Sequence, residues 1–199
     1  MMHRRFAIPV LVVSLALAAC RRDPPPPPAP TGPTAEELAR MRADSIARAE
    51  AAARAAAEAE AARVRAENER RMAAARATLE EMVYFDYDMS EIRSDAERIL
   101  SQKADILRGS PAVSLRIEGH ADERGSTEYN LALGSRRAES VRQFLTNFGL
   151  DASRFSTVSY GEERPQVAES SESAWARNRR AQFAITAGAD QIMISSSAP

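Results

Sequence analysis

The stretch GHADERGSTEYNLALGSRRA, residues Gly119–Ala138, carries the strongest structural and chemical signals in the chain. Its second half predicts an amphipathic helix, because apolar or small residues recur at intervals of three and four from Leu133 to Phe148. Asn130 and Arg137 lie on or beside that stripe. The first half, HADERG, sets two carboxylates and an arginine before a glycine. We therefore expect a polar loop opposite an arginine at the edge of a buried helix face.

The segments around this stretch predict a small α/β domain. Apolar and polar residues alternate in Val113–Glu118 just before the loop, which is the pattern of a half-buried strand. Further predicted elements are strands at 83–86, 154–160 and 180–186, and helices at 94–107, 130–148 and 173–177. The order is βαβαβ followed by a last strand. The expected fold class is an α/β (α+β) sandwich with helices on one face of a four-stranded sheet.

The N-terminus reads as a targeting segment. A basic start precedes an apolar run, Phe6–Ala19, which would span roughly 21 Å as a helix and is short for a ~30 Å hydrocarbon core. A secretory signal peptide fits better than a membrane span. The ending LAAC resembles the lipobox of bacterial lipoproteins, which implies cleavage before Cys20 and lipid on that residue. A cleaved signal peptide with an incidental cysteine is the alternative. In bacterial lipoproteins an Asp directly after the cysteine marks retention in the inner membrane. Because Arg21 occupies that position, the outer membrane is expected.

A proline-rich tether and a long helix follow the cysteine. Asp23–Pro33 predicts an extended polyproline segment. Thr34 and Glu37 form a capping box, after which the chain is mostly Ala, Arg and Glu without Gly or Pro. Its few large apolar residues keep no steady heptad, so we favour a single solvated spacer helix. There are two alternatives: a helical oligomer that packs through alanines, and a disordered segment.

The predicted organisation has five parts. They are a signal peptide (1–19), a lipidated cysteine with its tether (20–34), a helical rod (35–78), a globular domain (79–187) and a tail (188–199).

Composition excludes several classes of function. The net formal charge is −1, and nucleic-acid-binding domains usually carry a basic patch. With two histidines and one cysteine in 199 residues, a protein-only zinc site is not expected. The chain also has no Gly-rich phosphate loop. The sequence therefore predicts neither a metal nor a cofactor.

Several stretches together resemble the OmpA-like peptidoglycan-binding domain family, and within it the branch of peptidoglycan-associated lipoproteins. They are VYFDYD (83–88), IRSDAERIL (92–100), EGHADERGSTEYNLALGSRRAESV (118–141), TVSYGEERP (157–165) and NRRA (178–181). The central pattern GHxDxxGxxxxNxxLxxxRA spans twenty positions and is far more specific than a lone glycine motif. The long rod and the tail depart from the pattern of that branch.

The resemblance implies non-covalent binding of the diaminopimelate residue of peptidoglycan. The free end of that residue is a zwitterion, so a site needs a planar cation and nearby acceptors. The planar guanidinium of Arg137 can donate two parallel hydrogen bonds to a carboxylate, and Asp122 can accept hydrogen bonds from the ammonium. The family match adds Asp88 at the end of FDYD. Three further candidates are Asp86, as a pocket, supporting or turn residue, Asn130, chiefly as a loop clamp, and Arg124, as solvated or touching the peptide.

Other functions compete with this reading. The lipoprotein branch implies TolB as a candidate partner and a role in envelope constriction at cell division. A wall-tethering lipoprotein of the same family without a Tol partner is the main alternative. A wall-cleaving glycosidase would draw on Glu118, Asp122 or Glu123, but no second acid is marked out across a cleft. A stator or a porin would need spans or barrel strands upstream that the sequence does not display.

Overall fold

The computed structural model describes residues 32–193, and the chain divides into two units, Met1–Ala53 and Arg54–Pro199. The predicted signal peptide and Cys20 lie outside the described residues. The helices are α1 (Ala35–Glu80), α2 (Ser94–Gly109), α3 (Thr127–Asn147) and α4 (Glu172–Asn178), and the strands are β1 (Val83–Tyr84), β2 (Ser114–His120), β3 (Phe155–Gly161) and β4 (Arg180–Ala187). Within 32–193, no helix has the length and hydropathy that crossing a membrane requires.

Helix α1 is stabilised mainly by local interactions. The predicted capping box is present, because the Thr34 amide donates to Glu37 Oε2 at 2.7 Å and the Glu37 amide donates to Thr34 Oγ1 at 3.3 Å. Surface ion pairs such as Glu67–Arg71 (2.5 Å) lie along the helix. Of its 46 residues, the structure buries only Ala75 and Leu79. Intrinsic propensity therefore stabilises most of α1, while its last turns join the core.

The four strands form one sheet in the order β1-β4-β2-β3. Strand β2 is central, runs parallel to β3 across the α3 connection, and pairs antiparallel with β4. Leu115 and Ile117 of β2 face the core that α2 and α3 cover, whereas Arg116 is exposed. This alternation leaves one face of the sheet apolar and the other polar. The predicted fold class, including helices on one face and a long N-terminal helix, is confirmed.

Helix α3 rests directly on β2 through two glycines. A Cβ atom on Gly119 would lie 1.8 Å from the carbonyl oxygen of Gly134, and one on Gly134 would lie 2.3 Å from Ser159 Oγ. Only glycine at both positions permits this close approach of backbones. Arg137 follows about one helical turn later and is drawn into the protein interior as a result.

The end of α1 is fixed to the core by a buried lysine of α2. The Nζ atom of Lys103 donates to the backbone carbonyls of Thr78 (2.6 Å), Leu79 (2.9 Å) and Glu81 (2.6 Å). It also lies 4.0 Å from the centroid of the Phe183 ring. Burial lowers the pKa of Lys103 to about 7, and the negative charges of Glu81 and Glu80 oppose this shift. Lys103 thus caps the helix whose last turn carries no basic residue of its own.

Candidate functional site

A small cavity lies where β2 ends and α3 begins, and we call it the β2–α3 cleft. Its volume is about 120 Å³. Its lining residues are Tyr87, Asp88, Asp122, Arg124, Gly125, Tyr129, Asn130, Leu133 and Arg137. Five of the six residues that the sequence analysis singled out for ligand binding therefore surround one cavity. The exception is Asp86.

Arg137 forms the inner wall of the cleft. Its Nε donates to the Met89 carbonyl at 2.8 Å, its Nη1 to the His120 carbonyl at 2.7 Å and its Nη2 to the Asp86 carbonyl at 3.1 Å. The sequence predicted an arginine at the edge of the buried face, but Arg137 is 0% exposed. The difference arises because two backbone carbonyls of the β1–α2 connection and the carbonyl at the end of β2 reach Arg137 and replace water.

The donor count of Arg137 leaves room for a ligand. A guanidinium has five N–H groups, and the three carbonyls use one on each nitrogen. One N–H therefore remains on Nη1 and one on Nη2. Burial lowers the pKa of Arg137 to about 10, so the side chain is still a cation at neutral pH.

Asp122 is the most deeply buried carboxylate of the cleft, at 4% exposure. Its Oδ1 accepts from the Arg124 amide (3.1 Å) and from Arg124 Nε (3.2 Å), and its Oδ2 accepts from Arg124 Nη2 (2.7 Å) and Arg179 Nη1 (3.1 Å). Burial alone would raise the pKa of Asp122, but these hydrogen bonds outweigh it and the pKa lies below its usual value. Asp122 is thus a carboxylate anion between two arginines.

The two aspartates of the FDYD segment, Asp86 and Asp88, differ in position. Asp88 lines the cleft, has a φ of 57° and accepts a hydrogen bond from the Tyr129 hydroxyl. Aspartate is among the residues that tolerate this left-handed conformation best. Asp86 does not line the cleft: its carboxylate pairs with Arg93 at 3.0 Å and is exposed. Only its backbone carbonyl takes part, as an acceptor for Arg137.

Asn130 braces the loop that precedes α3. Its side-chain amide donates to a carboxylate oxygen of Glu162 and, at 3.4 Å, to the Arg124 carbonyl. Thr127 Oγ1 donates to the other oxygen of Glu162 at 2.9 Å. Ser126 caps the helix by accepting from the Tyr129 amide. These contacts fix the HADERG loop against the turn that follows β3, which agrees with a bracing role for Asn130.

Two aromatic residues hold Arg124 at the mouth of the cleft. Its guanidinium lies 4.1 Å from the centroid of the Tyr87 ring and 4.2 Å from that of Trp175. Trp175 Nε1 in turn donates to Glu123 at 3.0 Å. The sequence analysis did not assign Tyr87 and Tyr129 to the cleft, because an exposed tyrosine has no distinctive spacing. Only the fold brings these rings beside the charged residues.

Glu118, which the sequence offers as a glycosidase carboxylate, and His120 lie outside the lining of the cleft. Glu118 pairs with Arg116 at 2.7 Å and does not line the cleft. His120 is buried, and neither ring nitrogen has a hydrogen-bond partner within the described part of the chain. Burial, together with the charges of Arg180 and Arg164, lowers the pKa of His120 to about 4. His120 is therefore neutral at pH 7 and ends β2 beside the Tyr160 ring.

Comparison with known proteins agrees with this geometry. Residues 84–179 match the OmpA family. The peptidoglycan-associated lipoprotein of Brucella melitensis is 50% identical over 99 residues, which cover 50% of this chain and 59% of the relative. That of Pasteurella multocida is 46% identical over 102 residues, covering 51% of this chain and 68% of the relative. The match thus spans less than two thirds of the Brucella protein.

A solved structure supports the same assignment. The crystal structure of the peptidoglycan-associated lipoprotein from Burkholderia pseudomallei is 40% identical, with a TM-score of 0.51 and coverage of 52% of this chain and 88% of that one. The chain belongs to the OmpA family. Within that family, the Brucella and Pasteurella relatives and the Burkholderia structural neighbour are named peptidoglycan-associated lipoproteins.

Proposed function

We propose that this chain is an outer-membrane lipoprotein that binds the diaminopimelate of peptidoglycan non-covalently and tethers the membrane to the cell wall. The observation that carries the proposal is the β2–α3 cleft, in which Asp88, Asp122 and Arg137 line one cavity. Similarity to proteins named peptidoglycan-associated lipoproteins supports peptidoglycan as the ligand. A cavity of about 120 Å³ suits one end of a stem-peptide side chain better than a whole sugar.

The proposed ligand complements the charges of the cleft. Diaminopimelate ends in an ammonium and a carboxylate on one carbon. The two free N–H groups of Arg137 suit the carboxylate, because a guanidinium can donate two parallel bonds where a lysine cannot. Asp88 and Asp122 supply acceptors for the ammonium. Asn130 supports the loop, and Asp86 contributes its carbonyl to holding Arg137.

The expected strength of one site is modest. A hydrogen bond to a charged group contributes about 1.5–3 kcal/mol. Three such bonds, less the cost of ordering and desolvation, correspond to roughly micromolar to sub-millimolar affinity. Many tethered copies facing a polymeric wall gain from multivalency. Reversible attachment therefore needs no covalent bond to the wall and no catalysis.

Membrane attachment in this proposal comes from the N-terminal segment. Lipid on Cys20 would anchor the protein, and more than one acyl chain is needed for stable anchoring. The absence of Asp after Cys20 supports the outer membrane, with the globular domain facing the periplasm. The proline-rich segment and α1 then act as a spacer between lipid and wall-binding domain.

The finer proposal is that the chain serves as the Pal component of the Tol–Pal system in envelope constriction during cell division. Its support is the similarity to peptidoglycan-associated lipoproteins. The alternative is a wall-tethering lipoprotein of the same family without a Tol partner. Capture of purified TolB by the full chain, against a mock matrix, separates the two. Capture of TolB supports the Tol role. If the chain binds the cell wall but does not capture TolB, the alternative is supported.

Co-sedimentation with purified sacculi tests wall binding. We expect the full chain to pellet with diaminopimelate-type wall and much less with lysine-type wall, which lacks the second carboxylate. Asp88→Asn should reduce the pelleted fraction, whereas Asp95→Asn, the same change in the first turn of α2 and outside the cleft, should not. Because Asp88 is exposed, Asp88→Asn should stay folded. It therefore tests binding even where Arg137→Met, which changes a fully buried side chain, unfolds the domain. Equal pelleting of both wall types, or of both aspartate variants, would count against the proposal. Release of soluble muropeptides would instead indicate an enzyme.

A further inference from the structure

The starting point is the hydrogen-bond capacity of Asp122. A carboxylate has about four lone-pair positions. Arg124 fills three of those positions on Asp122 and Arg179 fills the fourth, at distances between 2.7 and 3.2 Å. A ligand ammonium can therefore bind Asp122 only if one of the two arginines gives up its place.

The two arginines are not equally able to move. Arg179 has a side chain that is 9% exposed, and it also donates to the Phe85 carbonyl (3.2 Å) and to Glu172 (3.0 Å). Arg124 has a side chain that is 29% exposed, and it lines the cleft. Its other ion pair, with Glu172 at 3.3 Å, is long. Arg124 is thus the group that faces an incoming ligand.

Arg124 also has somewhere to stay after leaving Asp122. Its guanidinium lies between the rings of Tyr87 and Trp175, at 4.1 and 4.2 Å. Aromatic faces stabilise a cation without using its N–H groups. The rings and Glu172 can therefore keep the guanidinium of Arg124 beside the cleft, at a shifted position over the Trp175 ring, while its bonds to Asp122 are exchanged.

We propose that Arg124 is an internal competitor for the cationic group of the ligand and thereby sets the specificity of the cleft. Its guanidinium and the ligand's ammonium contend for the same oxygens of Asp122. This inference rests on the proposed binding of diaminopimelate and assigns Arg124 a role other than direct contact with the peptide.

Charge balance explains why this arrangement selects a zwitterion. Arg124 and Arg179 each form an ion pair with both Asp122 and Glu172. Together with Arg137 and Asp88, which also line the cleft, they make a set of three guanidiniums and three carboxylates. A ligand with only an ammonium adds a fourth cation to this balanced set, and a ligand with only carboxylates has nothing that displaces Arg124. A zwitterion meets both requirements and leaves the total charge unchanged.

Three small probes test the inference on the full chain by calorimetry. They are meso-diaminopimelate, pimelate, which lacks both ammonium groups, and cadaverine, which lacks both carboxylates. We expect the wild type to prefer diaminopimelate to either analogue by at least about tenfold. In Arg124→Gln, diaminopimelate should bind as tightly or up to about fivefold more tightly, cadaverine should gain affinity, and pimelate should lose it. Arg142→Gln is the matched control and should behave as wild type, because Arg142 is an α3 arginine of similar side-chain exposure (31%) that pairs with Glu139 and does not line the cleft.

Fluorescence gives a second readout, since Trp175 is the single tryptophan of the chain. Saturation with diaminopimelate should change its emission in the wild type and leave it unchanged in Arg124→Gln, where the stacked guanidinium is gone. Weaker binding of diaminopimelate by Arg124→Gln, by about fivefold or more, would overturn the inference and make Arg124 a direct ligand contact. Unchanged wild-type emission at saturation would overturn it as well. Failure of the wild type to bind diaminopimelate or sacculi at all would instead overturn the proposed function, and this inference with it.

Discussion

Helices α1 and α3 are stabilised in different ways. Helix α1 has 46 residues and buries two, whereas α3 has 21 residues and buries seven, including Asn130 and Arg137. Alanine content, the capping box and exposed ion pairs hold α1 from within its own sequence. Contact with β2 and with the loop carbonyls holds α3. The contrast teaches that a local pattern can specify a helix, while a site requires a helix that the rest of the fold positions.

The largest effect should come from the contact between α3 and β2. Gly119→Ala puts a Cβ 1.8 Å from the Gly134 carbonyl oxygen, so the helix must move off the sheet. We expect the free energy of unfolding to fall by about 3 kcal/mol or more in urea denaturation. Gly109→Ala is the matched control, since its Cβ would lie at an ordinary contact distance of 3.6 Å from the Met193 carbonyl oxygen. A similar loss in both variants would mean that the close approach does not hold α3.

The junction of α1 with the core should show the next largest effect. Lys103→Met removes the donor for three backbone carbonyls, of which that of Leu79 is in a buried hydrogen bond and those of Thr78 and Glu81 are in part-buried ones. We expect a loss of about 2–3 kcal/mol in the free energy of unfolding. Arg71→Gln, on the exposed part of α1, should lower the free energy of unfolding by less than about 0.5 kcal/mol. Equal losses would show that the two parts of α1 are stabilised alike.

A pH titration probes the buried end of β2. The pKa of His120 is lowered from 6.5 to about 4, so the unfolded chain binds more protons than the folded one between these values. Stability should therefore fall as the pH drops from 6.5 towards 5, by on the order of 1 kcal/mol per pH unit. His120→Gln should flatten this dependence once its lower baseline stability is subtracted. A wild-type profile as flat as that of the variant would mean that His120 titrates normally in the folded protein.

The smallest effect on domain stability should come from α1 itself. Ala57→Gly and Ala132→Gly make the same change at exposed positions of α1 and α3, with an intrinsic cost of about 1 kcal/mol each. In α3 this cost should appear in the global unfolding midpoint. In α1 it should appear as lost helical circular dichroism with an almost unchanged midpoint. A shift of the midpoint by Ala57→Gly would show that α1 unfolds together with the domain.

Much of the cleft could be predicted from the sequence, and the reason is visible in particular residues. Asp122 and Arg137 stand out because a charged residue inside or beside an apolar pattern needs an explanation. Tyr87, Tyr129 and Arg179 join them only through contacts between distant residues, such as the stacking of Arg124 on Tyr87 and the hydrogen bonds from Tyr129 to Asp88 and from Arg179 to Asp122. No local spacing encodes such pairs. Asp86, for which the sequence left a pocket, a supporting and a turn role open, pairs its carboxylate with Arg93 and offers only its carbonyl to Arg137.

The order of the elements, the long solvated helix with its capping box, and the chemical character of the residues around the cleft all follow from local sequence. These depend on propensity, periodicity and short-range hydrogen bonds, which act within a few residues. The tertiary structure decided how deeply Arg137 is buried, which carbonyls hold it, and that Arg124 fills the oxygens of Asp122. Those outcomes depend on the approach of Gly119 to Gly134 and on packing between distant segments, because burial and hydrogen-bond capacity are properties of the folded surroundings.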